Sequence, residues 1–309
     1  MIDLSTKFKS FLTISRAKIQ IATLAHPTLG LFLACSTITD LDLFALVYFV
    51  LYMLQITFAC NINCYFDYEI DQKYKTSLAQ AVENLGKRTV RFILLIEGIV
   101  IGALIGVLII YGFIIVGVIA SLGFIFAIIY SATPLRVKKR GLLSAIPVIF
   151  GLYLFPVLGG WLIIANTFTI FIIIFMVGYA LINEGITLVN TAEDYDEDLS
   201  ENVKTWAHYF GIKTTLRLAF FFTLIGGISC IIGLFLKLIQ SYILTWSFFV
   251  ACGFLILTIL TVSITLKDIY KVGLEPDLKQ SAKKHAKKLP KWFIITRYPM
   301  LFTAIFLML

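Results

Sequence analysis

Residues 41–71, LDLFALVYFVLYMLQITFACNINCYFDYEID, carry an apolar run directly into a cluster of acids. About 20 mostly apolar residues cross a ~30 Å hydrocarbon core as a helix, so 41–64 reads as a transmembrane span that ends in a polar motif. Working outward on the same criterion gives eight more: 14–36, 89–110, 113–131, 142–164, 168–190, 214–236, 242–266 and 292–309. The last is short and contains Arg297 and Pro299. Composition agrees. Of 309 residues 60% are hydrophobic and 14% charged, with a mean hydropathy of +0.94. Soluble domains carry about 25% charge, so a single soluble domain, intrinsic disorder and a disulfide-stapled module are all excluded. Long continuous runs without alternation favour helices over a barrel.

Charge orients the spans. Counted loop by loop, 25 of the 26 Lys and Arg fall on one side and only Lys237 lies opposite. The positive-inside rule makes that side cytoplasmic, with the N-terminus in and the C-terminus out. The first stretch begins with Lys7, Lys9, Arg16 and Lys18 and is followed by further spans, so it is expected to be a span and not a cleaved signal. The five cysteines form no CxxC pair, and all lie in or at the ends of apolar runs. They read as small hydrophobes.

The motif recurs. NCYFDYEID (63–71) and NTAEDYDED (190–198) share Asn-x-x-x-Asp-x-x-x-Asp: Asn63, Asp67, Asp71 and Asn190, Asp194, Asp198. Lys75-Thr76 follows the first and Lys204-Thr205 the second, and LGKRTVRF (85–92) then resembles FGIKTTLRL (210–218). The copies stand 127 residues and four spans apart, so both face the cytoplasmic side. The expected architecture is an all-α integral membrane bundle forming one domain, 1–309. It has nine transmembrane helices: two four-helix repeats, approximately 1–131 and 132–266, plus a ninth helix at approximately 292–309. Repeat-built membrane proteins place their site between the repeats.

Residues four apart share a helix face, so each motif makes a ladder about 12 Å long if its helix continues past the membrane. Stacked carboxylates repel unless a cation lies between them. Mg²⁺ suits such a site, because it binds one or two carboxylates together with substrate phosphates. Nine of the 18 acids fall in the two clusters, more than solubility requires. Two ladders facing one cavity among basic residues describe a diphosphate clamp. At the mouth of a helical bundle, that clamp suits an amphiphile such as an allylic isoprenoid diphosphate. The carbocation left by its departure can be sheltered by aromatic faces in a dry cavity.

NCYFDYEID resembles the first aspartate-rich motif of the UbiA superfamily of intramembrane prenyltransferases, and EDYDED (193–198) resembles its second. YSATPLRVKKRG (130–141) is similar to the family's loop between the fourth and fifth helices. The resemblance covers nearly the whole chain. It implies two Mg²⁺ ions bridging a prenyl diphosphate, one held by Asn63, Asp67 and Asp71 and the other by Asp194 and Asp198. It implies Lys75, Arg136, Lys138 and Lys204 around the diphosphate oxygens, with Arg16 a further candidate. Each of these cations also answers to ordinary cytoplasmic positive charge. Tyr130 is implied near the carbocation, or else serves as an interfacial anchor. Two features depart from the pattern: Cys64 stands where the family often has Asp, and QKYKTSLAQAVENLG (72–86) replaces an Arg-Pro-rich stretch. The metal-ligand spacing is untouched.

Intramembrane acids mark function by default. Glu184, or Asn183 beside it, is a candidate to bind or deprotonate the acceptor, with Asn190 close by; the alternative is a neutral acid hydrogen-bonded between helices. Glu97 and His26 read as structural, while His208 and His285 lie in cytoplasmic segments. The basic stretch KQSAKKHAKKLPK (279–291) fits anionic lipid headgroups better than nucleic acid. The expected partners are therefore a prenyl diphosphate, a lipophilic acceptor and membrane lipid, without nucleic acid or an obligate protein partner. The expected location is a multi-pass position in the cell membrane. The acceptor could be an aromatic quinone precursor or a glycerol-phosphate ether-lipid precursor. Two other functions remain open on these residues. A CDP-alcohol phosphotransferase also uses membrane aspartates and metal, but its signature places Gly directly after the second Asp. A repeat-built transporter would hold its acids near the midplane.

Overall fold

The computed structural model describes residues 3–241 and 245–309. Residues 242–244, the start of the expected span at 242–266, lie outside them, as do residues 1–2. All regular structure among the described residues is helical. The first half holds Leu4–Ile14 (α1), Ala17–Thr23 (α2), Ala25–Ala34 (α3), Leu43–Phe66 (α4), Tyr68–Tyr74 (α5), Thr76–Leu85 (α6), Lys87–Ile110 (α7) and Ile114–Ser131 (α8). Next comes a composite helix over Gly141–Leu162, with a π-helical turn at Pro147–Leu154 and an α-helical end, Phe155–Leu162 (α9). The second half holds Ile170–Glu193 (α10), Tyr195–Ser200 (α11), Trp206–Phe210 (α12), Ile212–Gln240 (α13), Trp246–Val272 (α14), Leu278–Ala286 (α15) and Leu289–Met308 (α16).

Among the described residues, seven helices are long and apolar enough to cross a membrane: α4, α7, α8, the Gly141–Leu162 composite, α10, α13 and α14. The first and last expected spans are not among them. The stretch 14–36 is divided, because Arg16 adopts a left-handed conformation (φ 49°) and separates α1 from α2. A second joint at Leu24 then starts α3. Helix α16 carries Arg297 and Pro299 within it. Both α3 and α16 are largely buried and pack on one another, so their polar atoms are met by protein.

Helix α10 forms the centre. Within it, 72% of the membrane-length window is buried, against 22–39% in the other six. Its close partner is α13, and small residues bring the two backbones together. A Cβ on Gly226 would stand 2.6 Å from the Gly178 carbonyl oxygen, a distance that only glycine tolerates. The segment 72–86, which stands in place of the family's Arg-Pro-rich stretch, contains the amphipathic helix α6, whose Ala79, Ala81, Val82 and Leu85 turn inward. It packs on α1. Likewise α15 forms within the basic stretch and docks on α10.

Candidate active site

Both acidic motifs interrupt their helices at the central aspartate. Asp67 (φ −95°, ψ 3°) separates α4 from α5, and Asp194 (φ −76°, ψ 5°) separates α10 from α11. The four-residue backbone ladder nevertheless runs through each break. Asp67 N–H donates to the Asn63 carbonyl at 2.9 Å and Asp71 N–H to that of Asp67 at 2.8 Å; the matching bonds of Asp194 and Asp198 measure 3.0 and 2.8 Å. Each Asn-Asp-Asp set therefore keeps a common face around a bend. Downstream, Gly86 (φ 83°) and Gly211 (φ 77°) take the same left-handed turn to start α7 and α13. Any side chain at these two positions would be strained.

The two faces line one cavity of about 500 Å³. Asn63, Asp67 and Asp71 of the first motif and Asn190, Asp194 and Asp198 of the second all line it. Arg16, Lys75 and Lys138 line it too, as do Tyr130 and Glu184. Asp67 is held by Arg136 (Nη2 to Oδ1, 2.6 Å) and by Lys138. Asn63 receives the Arg16 guanidinium at 3.4 Å and donates to Ser131 Oγ at 3.3 Å. Opposite, Asn190 donates to Asp194 Oδ2 at 2.7 Å. Three contacts tie α5 and the residue that caps it to α11 and its cap: Lys75–Glu197 at 3.0 Å, Lys73–Glu201 at 2.8 Å and Tyr74–Ser200 at 2.6 Å.

The carboxylates are electrostatically loaded. Asp71 is buried, its Oδ2 has no partner among the described residues, and burial together with the Asp67 charge pushes its carboxyl up to about 6. Burial, then Asp194 and Glu197, pushes Asp198 up to about 7. Asp194 is raised as well, by burial first. Burial opposes the Lys75 ammonium, but the Asp194 and Glu197 charges outweigh it and leave its pKa above the ordinary value. Lys138 is lowered by burial despite Asp67 beside it. An all-oxygen donor set, an orphaned buried carboxylate oxygen and acids that resist ionising together suit a hard divalent cation. Among the described residues no three His, Cys, Asp or Glu side chains form a group able to hold a metal ion. Such an ion would complete its shell with water and phosphate oxygens, as Mg²⁺ ordinarily does.

Other expected site residues lie elsewhere. Arg136 stands behind Asp67 and outside the cavity lining. Lys204 is exposed, pairs with Arg140 through the backbone and does not line the cavity. Asn183 faces away from the cavity: it donates to the Tyr179 carbonyl at 2.6 Å and accepts from Arg297 Nε at 2.7 Å. Glu184, one residue on, turns into the cavity with its Oε2 unpartnered. Tyr52, Phe126, Tyr153 and Trp206, which sequence reasoning did not single out, add aromatic lining. Nothing local distinguishes them from the chain's other aromatics. Glu197 and Glu201 also line the cavity, and only their membership of the acidic cluster marked them.

The fold and cavity define a membrane-type helical protein whose chamber has a charged mouth above aromatic and aliphatic walls. A sequence profile of the UbiA prenyltransferase family matches residues 24–271, and the chain belongs to that family. It is a prenyltransferase by class, which displaces the phosphotransferase and transporter alternatives. Among solved structures, a UbiA homologue from Archaeoglobus fulgidus bound to GPP and Mg²⁺ is 14% identical, with a TM-score of 0.68 over 96% of this chain and 99% of that one. The structure of a digeranylgeranylglyceryl phosphate synthase is 21% identical, with a TM-score of 0.65 over 97% and 99%. An apo UbiA homologue from Aeropyrum pernix K1 is 15% identical, with a TM-score of 0.59 over 90% and 98%. No curated protein matches in sequence.

Proposed function

We propose that this chain is a Mg²⁺-dependent intramembrane prenyltransferase that moves an isoprenyl group from an allylic diphosphate to a lipophilic acceptor. One observation carries the reading: two carboxylate ladders face one cavity with cations between them and aromatic walls below. Solved relatives of the same fold bound to GPP or DMAPP with Mg²⁺ support the donor class. In this reading Asn63, Asp67 and Asp71 hold one Mg²⁺, and Asp194 with Asp198 a second. Bound metal neutralises the diphosphate and makes it a better leaving group. Lys75, Lys138 and Arg16 face the diphosphate oxygens, while Arg136 orients Asp67. Lys204, outside the cavity lining, has no part in this arrangement.

The allylic C1–O bond breaks and its electron pair leaves with the diphosphate. The carbocation lies against Tyr130 and Phe126, whose faces favour positive charge. A bond then forms from the acceptor to C1, and the proton the acceptor loses passes to the Glu184 carboxylate. Glu184, buried and with a free oxygen, handles the acceptor from the cavity side of α10, with Asn190 above it. An aromatic quinone precursor and a glycerol-phosphate ether-lipid precursor both fit this chemistry.

The architecture proposed with it has nine spans in the cell membrane, counting α2–α3 and α16, with the N-terminus and cavity mouth cytoplasmic. It forms one domain of two four-helix repeats plus a ninth helix. The matched breaks at Asp67 and Asp194 and the matched turns at Gly86 and Gly211 support the duplication. The test incubates purified protein with Mg²⁺, labelled C10 to C20 allylic diphosphates and a panel of aromatic and glycerol-phosphate acceptors. Labelled product is expected, and it should vanish in Asp67→Ala and Asp194→Ala with helical circular dichroism retained. Full activity in both variants sinks the mechanism.

A further inference from the structure

Each acidic motif places a tyrosine directly after its central aspartate: Tyr68 after Asp67 and Tyr195 after Asp194. Neither tyrosine lines the cavity. Each is instead covered by a lysine from another part of the chain. Lys87 Nζ stands 4.1 Å from the centre of the Tyr68 ring, and Lys279 Nζ stands 4.9 Å from that of Tyr195. Further contacts fix both rings. Tyr68 donates its hydroxyl to Glu83 Oε1 at 2.6 Å. Tyr195 stacks on His208 with ring centres 4.3 Å apart and planes within 9°, and His208 Nε2 lies 3.0 Å from the Tyr195 carbonyl oxygen. Lys279 also pairs with Asp196 at 2.6 Å.

This outward hold meets a need inside the cavity. Asp71 Oδ2 has no partner. Asp67 and Asp194 are steadied through their own oxygens by Arg136, Lys138 and Asn190, whereas Asp71, three residues beyond Tyr68, keeps an oxygen free and is not anchored through it. Its direction must then come from the backbone, and the backbone is bent at the residue just before each tyrosine. We infer that Tyr68 and Tyr195 are positioning residues, each clamped from outside by a lysine so that the aspartates before and after it face the divalent cation. Outer contacts of this kind set metal affinity in many sites. The inference rests on the proposed metal role of the two motifs.

The test reads cation binding directly, without turnover. Mn²⁺ is titrated into the purified full-length protein with inorganic diphosphate present, and free Mn²⁺ is followed by electron paramagnetic resonance. Tyr195→Leu and Lys279→Met are each expected to weaken Mn²⁺ binding about three- to tenfold, as are Tyr68→Leu and Lys87→Met. Tyr195→Phe keeps the stack and the ring face, and it is expected to bind like the parent. The lysine variants decide the matter if a leucine variant does not fold. Binding within twofold of the parent in Lys87→Met and Lys279→Met overturns the inference while leaving the metal reading intact. Tyr195→Phe as weak as Tyr195→Leu overturns it too, because the ring face would then not be the cause. A parent that binds no Mn²⁺, or that binds equally well after Asp67→Ala and Asp194→Ala, overturns the metal reading and this inference with it.

Discussion

Replacing Asp71 by Asn is expected to stabilise the metal-free protein at pH 8 while abolishing its response to Mg²⁺. Asp71 is 4% exposed and one of its oxygens has no partner. Burial, then the neighbouring Asp67 charge, pushes its carboxyl up to about 6. A carboxyl raised in the folded state favours folding in full below its unfolded pKa, and that contribution is lost as the pH climbs through about 6. Against an unperturbed value near 4 the shift is about two pH units, or about 3 kcal/mol. Solvent and counterions at the cavity mouth reduce this to about 1.5 kcal/mol. Asparagine keeps the shape without the charge. In detergent micelles with chelator at pH 8, the thermal midpoint of Asp71→Asn should lie about 2–4 °C above that of the parent, both scanned at one rate. The gap should close towards pH 4. On adding Mg²⁺ with inorganic diphosphate, the parent should gain stability and the variant should not. A variant less stable than the parent at pH 8 without metal, or a gap that does not narrow on acidification, refutes the reasoning.

Three other perturbations follow from contacts described above. Arg297→Met leaves Asn183 Oδ1 and the Ala22 carbonyl without their donors, so unfolding in a detergent titration should shift by about 2–4 kcal/mol. Arg297→Lys should not restore it, because one ammonium cannot replace two directed N–H bonds and the contact with the Phe293 ring. Gly226→Ala presses a methyl group towards the Gly178 carbonyl oxygen, and the same titration should show a loss of about 1–3 kcal/mol at the α10–α13 seam. Lys75→Met removes the Glu197 ion pair and a cavity cation; steady-state kinetics should show KM for the allylic diphosphate rising about tenfold, with a smaller change in kcat.

The sequence revealed what depends on nearest neighbours along the chain. Runs such as 89–110 and 168–190 are long enough to cross a membrane, and they form α7 and α10 close to their expected bounds. The acidic ladders were legible because their four-residue spacing occurs twice. The break in 14–36 was hidden, since nothing in the residues around Arg16 announces a left-handed joint. The helix in 72–86 leaves little trace in the sequence, because its inward face of Ala79, Ala81, Val82 and Leu85 is short and small. Arg297 reads as a flaw in a span, whereas it is buried and bonded to Asn183, 114 residues away. That pairing also explains why Asn183 does not reach the cavity. Consecutive helical residues point about 100° apart, so Glu184 faces the chamber while Asn183 faces α16. The aromatic walls depend on which distant helices meet, and composition alone cannot rank one phenylalanine above another.

The two motifs share a local geometry and differ in how their charge is met. Asp67 is compensated within the chain by Arg136 and Lys138, both from the segment after α8. Asp194 receives a neutral amide from Asn190, and Lys75, the nearest cation, is already paired with Glu197. Burial first and neighbouring acids second raise both outer carboxyls, Asp198 up to about 7 and Asp71 up to about 6. Positive charge collects on the first side, where Arg16 and Lys138 line the cavity. On the proposed reading this polarity orients the donor. Divalent cations would meet the acids of both motifs, and the diphosphate oxygens are drawn towards Arg16, Lys75 and Lys138. The leaving group is thus held from opposite walls by charges of different origin, and its prenyl tail has only the aromatic floor left to occupy. An anion gripped from one wall alone could swing its C1 carbon away from Tyr130. An anion met by both motifs at once is restrained from swinging.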